Sequence, residues 1–390
     1  MSHPSLRFTT FVENGSDWKT VQLSEVATYI TTRKSVESDS LYVGTDNLIK
    51  NFGGLDKSTK KSITGISFEK NDILLSNIRP YLKKLWISDE SGICSADVLV
   101  IRSKTIEPVF FKYLLSTDEF FNHIAKGYQG SKMPRGDKKQ IATFKFSMPS
   151  SYKEQQKIAA FFMALDEKIQ IQNKLLSQYI NLKKSLFNKY LLSKESSDIT
   201  LRSLSISEAG ETITGYPFNS KEFSQEGIRL IKGANVKRGN LDFSKEISSF
   251  WKTTENLEKY ILQEDDLLIQ MDGAQVGKSF GFVQKENLPA MLVQRVTRIR
   301  CSRSIAIILY QNLCSGQFNK FIEKRLTNTA VPHISLKDIN AFTFNIPEQK
   351  EVLDQFSDIF DNIEKKILIV KQRLCCLDRM KKAFMQQMFV

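Results

Sequence analysis

Apolar residues recur along this chain in two rhythms. Short β-branched and aromatic runs, among them Val98-Leu99-Val100-Ile101 and Val293 through Ile299, are set off by Gly, Asn, Asp and Pro and predict strands joined by turns. Val109 to Ala125 and Ile305 to Leu326 have helical spacing instead. Together they predict an α+β fold. The second rhythm is longer. After Pro149, positions Ile158, Phe162, Leu165, Ile169, Gln172, Leu176, Tyr179, Lys183, Leu186 and Tyr190 step by four and three alternately, and eight of the ten are apolar. After Pro347 the same walk gives Val352, Phe356, Ile359, Ile363, Lys366, Val370, Arg373, Leu377, Met380, Phe384 and Gln387, with eight of eleven apolar. Neither stretch contains Gly or Pro, and a 3.5-residue spacing draws one continuous seam along a helix. A helix of ~38 residues is ~57 Å long. Two seams of that length outrun any small domain, so they are expected to pair with each other as an antiparallel coiled coil, the chain returning on itself after an intervening domain. The expected architecture is two globular heads held apart by a rod and related by a pseudo-two-fold axis.

A comparison of the chain with itself supports that picture. Leu23-Ser24-Glu25-Val26 with Ile30-Thr31 recurs as Ile206-Ser207-Glu208-Ala209 with Ile213-Thr214, and Asp72-Ile73-Leu74-Leu75-Ser76 as Asp266-Leu267-Leu268-Ile269-Gln270. Ile141 through Pro149 recurs as Ile339 through Pro347, Glu154-Gln155 as Glu348-Gln349, and Leu182-Lys183-Lys184 as Met380-Lys381-Lys382. The blocks are collinear, at offsets between 183 and 198 residues. Chance does not preserve order over so many blocks. The chain is a tandem duplication, with α+β heads over 1–150 and 194–347, each followed by a long helix, 151–193 and 348–390.

Charge narrows the partners. Among 390 residues, Lys and Arg number 56 against 43 Asp and Glu, a formal charge of +13 that points to a polyanion. An anionic membrane fits poorly, since no run of 18 apolar residues exists and the N-terminus lacks the order of a signal peptide. Cys94, Cys301, Cys314, Cys375 and Cys376 form no C-x-x-C pair, and three histidines make a structural zinc site improbable. A cytoplasmic protein is expected.

No catalytic set emerges. Asp272-Gly273-Ala274-Gln275-Val276-Gly277-Lys278-Ser279 resembles a phosphate loop, but three residues separate its glycines where four are needed. It also leads into Phe280-Gly281-Phe282-Val283, a strand-like run, and its counterpart from Ser76 to Lys84 has no glycine. A strand-turn-strand hairpin is expected. Asp338 with Glu348-Gln349-Lys350 mimics a nuclease metal set, yet the first repeat has Glu154-Gln155-Gln156 without the lysine. Helix-start electrostatics explains the glutamates better. There is no Asn/Asp-Pro-Pro-aromatic tetrapeptide, no glycine-rich methyl-donor loop and no Ser/His/Asp constellation.

The motifs meet a known family at this point. Two heads, each followed by a long helix entered through Phe-x-Phe-x-x-Pro and Glu-Gln, resemble the specificity subunit of a type I restriction–modification system. Val331-Pro332-His333-Ile334-Ser335-Leu336-Lys337-Asp338-Ile339, running into Phe342-x-Phe344-x-Ile346-Pro347, is similar to the family's most recognisable stretch. Asp266-Leu267-Leu268-Ile269 with Asp272-Gly273 and Val276-Gly277-Lys278 resembles another of its blocks, and Pro4-x-Leu6-Arg7-Phe8 with Trp18 its opening. Met133-Pro134-Arg135-Gly136-Asp137 departs from the pattern by losing the Ile-Ser-Leu that follows the proline in the second repeat.

The resemblance implies a non-catalytic subunit whose two target-recognition domains each read one half of a bipartite, asymmetric DNA sequence. The helices would set the unread spacer and dock two modification subunits. Those partners would bind S-adenosylmethionine and methylate adenine at N6, and restriction subunits would bring ATP and Mg²⁺ chemistry; no cofactor or metal is expected in this chain. Candidate DNA contacts are the two hairpins, with Ser76, Asn77, Arg79, Lys83, Lys84, Gln270, Asp272, Gln275 and Lys278, and the two proline loops, with Ser131, Lys132, Arg135, Asn328, Thr329 and His333. Arg is the usual bidentate partner of guanine and Gln or Asn of adenine. Against this stand turn-forming and solvated-charge roles for the same residues. Arg295, Arg298, Arg300 and Arg303 alternate along a strand, so half of them are expected to face a neighbouring element. Two other classes remain: a coiled-coil tether joining two protein-binding heads, and a self-contained endonuclease or methyltransferase.

Overall fold

The computed structural model describes residues 4–36, 40–57, 64–128, 134–192, 199–325 and 332–389. They form two compact units, 1–173 with 372–390, and 174–371. Each unit is α+β, and each takes a piece of both long helices.

In the first unit the strand Trp18–Gln22 pairs antiparallel with Lys145–Pro149, Trp18 opposite Pro149. A four-stranded sheet runs in the order Ala27–Ile30, Val98–Ser103, Ile73–Ser76, Leu85–Ile87. A second sheet orders Arg33–Ser35, Thr64–Phe68, Gly92–Cys94 and Leu41–Val43. Ile73–Ser76 is buried at all four positions, which explains its unbroken apolar run. The helical stretch after Val109 is two helices, Pro108–Leu114 and Asp118–Ala125, because the Thr117 hydroxyl accepts from the Phe120 N–H and starts a new one. Their Phe110, Phe111, Phe120 and Ile124 close one core with Ile73, Leu75 and Ile101.

The second unit repeats the plan. Leu201–Ser205 pairs with Thr343–Pro347, Leu201 opposite Pro347. The main sheet orders Glu211–Thr214, Val296–Arg300, Leu267–Gln270 and Phe280–Phe282. The strand expected from Val293 begins at Val296, because a turn intervenes in which Arg295 takes a left-handed backbone (φ 68°). The expected helix after Ile305 is Arg303–Cys314 followed by Gln317–Glu323, parted at Gly316 (φ 82°).

The long helices are Tyr152–Phe187, extended by a π-turn over Asn188–Leu192, and Lys350–Met388. The first seam is placed as expected, with Ile158, Phe162 and Leu165 buried. The second needs correction. Phe356, Ile363 and Val370 are buried, but Ile359 and Met380 are exposed, as are Lys366, Arg373 and Gln387. Leu353, Phe360, Ile367 and Met388 are the buried companions. The inward face steps by three and then four from Leu353, one residue after the expected start at Val352.

Within the first unit Phe161 meets Phe384 at 5.1 Å between ring centroids and Lys381 pairs with Asp166. Within the second, Lys183 Nζ lies 2.6 Å from Glu364 Oε1 and Tyr190 meets Phe356 at 5.3 Å. Numbers rise on one helix as they fall on the other, so in each unit the two pieces run antiparallel.

The repeated Glu-Gln also needs correction. Glu154 and Gln155 are buried: Glu154 takes Arg7 Nε at 3.0 Å, the Ser16 hydroxyl at 2.6 Å and Trp18 Nε1 at 3.2 Å, while Gln155 donates to the Pro149 carbonyl. Glu348 and Gln349 are exposed and precede their helix. From Pro149 to Pro347 the offset is 198 residues, so Val352 and Leu353, not Glu348-Gln349, stand where Glu154-Gln155 stand. Glu154 thus lies in the first turn of its helix as expected, and is in addition a buried ion-pair partner of Arg7. Asp338 belongs to a capping box with Ser335 at Leu336–Asn340.

Candidate nucleic-acid interface

Both hairpins form. In the first unit Leu75 pairs with Leu85 across a turn containing the 3-10 helix Pro80–Leu82; in the second Ile269 pairs with Phe280. Ser76 and Gln270 occupy the same place and do the same work. The Ser76 hydroxyl donates to the Ile78 carbonyl at 2.9 Å, and the Gln270 amide donates to the Asp272 carbonyl at 2.8 Å. Both side chains hold their own turn.

Each hairpin is tied by backbone hydrogen bonds to the proline loop of its own unit. The Arg79 N–H donates to Pro134 O and the Gly136 N–H to Asn77 O, at 2.8 and 3.1 Å. In the second unit the Gly273 N–H donates to Pro332 O and the Ile334 N–H to Met271 O, both at 3.0 Å. Two candidate segments more than 50 residues apart in sequence therefore become one surface in each unit. Ser131, Lys132, Asn328 and Thr329 lie outside the described residues.

The charges are arranged differently. In the first unit Arg135 Nη2 lies 3.2 Å from Asp97 Oδ1. Lys83 pairs with Asp118 and lies 5.8 Å from the centroid of the Phe121 ring, and Lys84 Nζ donates to the Thr45 carbonyl at 2.6 Å. Arg79 is exposed in a left-handed conformation (φ 49°), and its guanidinium has no hydrogen bond or ion pair among the described residues. Asn77 Oδ1 is buried without a partner among those residues. In the second unit Asp272 holds Arg295 Nε at 3.0 Å and His333 Nδ1 with its other oxygen. Gln275 and Lys278 are exposed at the hairpin tip, with no side-chain hydrogen bond or ion pair among the described residues.

A cleft of about 490 Å³ opens beside this cluster, lined by Phe218, Phe223, Lys232, Gln270, Asp272 and Arg295. Burial pulls the Lys232 ammonium below the usual lysine range. The four arginines do not alternate along one strand: only Arg298 and Arg300 lie on Val296–Arg300, two residues apart and so on one face, while Arg295 sits in the turn before it and Arg303 begins the next helix. Arg298 is buried on Glu211, and Arg300 grips buried Asp266 through two 2.7 Å hydrogen bonds that hold its guanidinium charged. The first unit repeats that grip with Arg102 on Asp72. Arg295 and Arg303 face outward.

Sequence reasoning did not place Arg295 or Asp97 among the contacts. Both directly precede a central strand at matching places, before Val296 and Val98, and that alignment was the available signal. Among the described residues no group of three or more His, Cys, Asp or Glu could hold a metal ion, and no helix is long and apolar enough to cross a membrane.

Residues 15–179 match the family model described as the type I restriction modification DNA specificity domain. The chain is similar to the type I restriction enzyme EcoAI specificity subunit of Escherichia coli, at 28% identity over 169 residues covering 41% of this chain. The EcoDI specificity subunit of the same organism is 26% identical over 125 residues, 31% of this chain. The chain covers 28% of the length of each of these relatives. In fold it is similar to the type I restriction–modification S subunit from M. genitalium (TM-score 0.70, 14% identity, 100% of this chain and 99% of the other). A chain from a structure of type I system assembly and conformational transition is also similar (TM-score 0.50, 16% identity, 94% and 96% covered).

Proposed function

We propose that the chain is a specificity subunit of the type I restriction–modification kind and that it reads a bipartite, asymmetric DNA target, one half with each unit. One observation carries this reading: the same hairpin-to-proline-loop bridge occurs once per unit, and each presents basic side chains to solvent. A net charge of +13 favours phosphate neutralisation and counterion release, which supplies affinity. Base edges are then read by side chains such as Arg79, Arg135, Gln275 and Lys278.

The paired long helices would set the number of unread base pairs between the halves and dock two modification subunits on two nearly equivalent surfaces. Those subunits would carry S-adenosylmethionine and the N6-adenine chemistry, and restriction subunits ATP and Mg²⁺. This chain contributes recognition and positioning, not bond making.

The test is exchange of residues 1–150 for the corresponding segment of a relative, in the complex with the modification subunits. Methylation-aware sequencing should show one half of the motif replaced and the other retained. A change in both halves would overturn the two-reader scheme.

A further inference from the structure

We propose that Arg295 reads a guanine in the half-site taken by the second unit, with Asp272 and His333 as its positioning residues. The proposal rests on the DNA-reading role above and adds to it a residue, a base and a geometry. Arg295 holds a left-handed backbone (φ 68°) that residues with a Cβ rarely adopt, and its carbonyl accepts from the Met271 N–H at 2.9 Å. Strain of this kind persists where surrounding structure imposes it, and it concentrates at working sites.

The side chain is 66% exposed, while that of Asp272 is 16% exposed. Asp272 engages Arg295 through Nε and His333 through its second oxygen, so both oxygens are occupied. Nη1 and Nη2 of Arg295 have no hydrogen bond among the described residues. Two terminal amines on a guanidinium braced at Nε form the fork that matches O6 and N7 of guanine.

The carboxylate also discriminates between the two kinds of DNA contact. A phosphate next to Arg295 would be repelled by Asp272, whereas a neutral base edge would not. Lys278, without such a neighbour among the described residues, suits a phosphate.

The first unit supplies an independent occurrence with the parts exchanged. Asp97 stands where Arg295 stands, and the guanidinium comes from the proline loop as Arg135, 59% exposed and braced at 3.2 Å. An acid-braced, exposed guanidinium arises once per unit from different residues, which a chance surface charge would not reproduce.

The experiment uses the full chain co-expressed with its modification subunits and reads the methylated motif in genomic DNA. Arg295→Gln should relax one G·C position of one half by about ten-fold or more and leave the other half unchanged. Arg295→Lys keeps the charge but loses the fork, and should relax the same position with the salt dependence of DNA binding preserved. Asp272→Asn should give a weaker relaxation at that position. Assembly with the modification subunits and thermal melting establish that each variant folds. The proposal is overturned if the Arg295 variants keep full stringency, if the relaxed position is an A·T pair, or if binding weakens equally for all sequences with the salt slope reduced by about one. A wild-type complex that methylates no bipartite motif would instead overturn the function on which the proposal rests.

Discussion

The two units share a frame and differ in what they bury and what they present. The opening and closing strands pair identically, Trp18 on Pro149 and Leu201 on Pro347. The central strand of each meets its neighbour in the same register, Ile73 on Ile101 and Leu267 on Ile299. Asp166, Lys381 and Tyr113 meet in the first unit as Glu364, Lys183 and Gln311 do in the second, each position displaced by 198 residues. Packing and helix pairing are thus repeated faithfully. The hairpin charges are not: the acid precedes the central strand as Asp97 in the first unit and lies in the hairpin as Asp272 in the second, where Arg295 takes the place of Asp97. Duplication keeps what the core requires and frees what the surface presents, because a core change costs stability and a surface change costs little.

That comparison can be broken first at the repeated Glu-Gln. Glu154→Ala leaves Arg7 and Trp18 Nε1 without their buried partner and should destabilise the first unit by about 3–5 kcal/mol. Glu348→Ala, at an exposed position, should cost under ~0.5 kcal/mol. Urea unfolding of the two variants separates them. Equal costs would mean that the dipeptide has one structural role, contrary to the packing.

The helix-pair lysines form the opposite case, where equality is expected. Lys183→Met and Lys381→Met each remove a charged hydrogen bond to a part-buried carboxylate, and each should cost about 1–2 kcal/mol. Costs differing by more than about 1 kcal/mol would show that the symmetry of sequence positions is not one of energies.

The smallest effect concerns pH. Burial pulls the Lys112 ammonium down to about 8, although Asp166 beside it acts the other way. A lysine whose folded pKa lies below its unfolded one binds fewer protons when folded. The Lys112 contribution to the stability of the first unit should therefore rise as pH climbs from about 8 toward 10.4, the unfolded lysine value, at no more than ~1.4 kcal/mol per pH unit, against an opposite contribution from the Cys94 thiol of the same unit, which burial pushes up to about 12. Its counterpart in the second unit, Tyr310, is pushed up and out of that window by burial. Hydrogen exchange should show the first unit of the wild type gaining stability over that window relative to Lys112→Met. A gain that persists in that variant would assign it to another group.

The duplication, the α+β heads, the hairpin in place of a phosphate loop and the antiparallel long helices were legible in the sequence, because periodicity and turn chemistry act over a few residues and leave their pattern in order along the chain. The phase of the second seam was not. Phe356, Ile363, Val370, Leu377 and Phe384 serve either walk, and packing in the folded chain turns Leu353, Phe360 and Ile367 inward in place of Val352, Ile359 and Lys366. Nor could sequence tell Glu154 from Glu348, since the distinction is the presence of Arg7, 147 residues away. The candidate surface divides the same way. Hairpins and proline loops are separate segments in the sequence, and the backbone bonds from Arg79 to Pro134 and from Gly273 to Pro332 make them one surface in each unit. Ser76 and Gln270 turned out to hold their turns, while Arg295 faces outward on a left-handed backbone. Local sequence determines which elements form; which side chains are consumed internally and which remain free for a partner is settled by contacts between residues distant along the chain, and those exist only once the chain is folded.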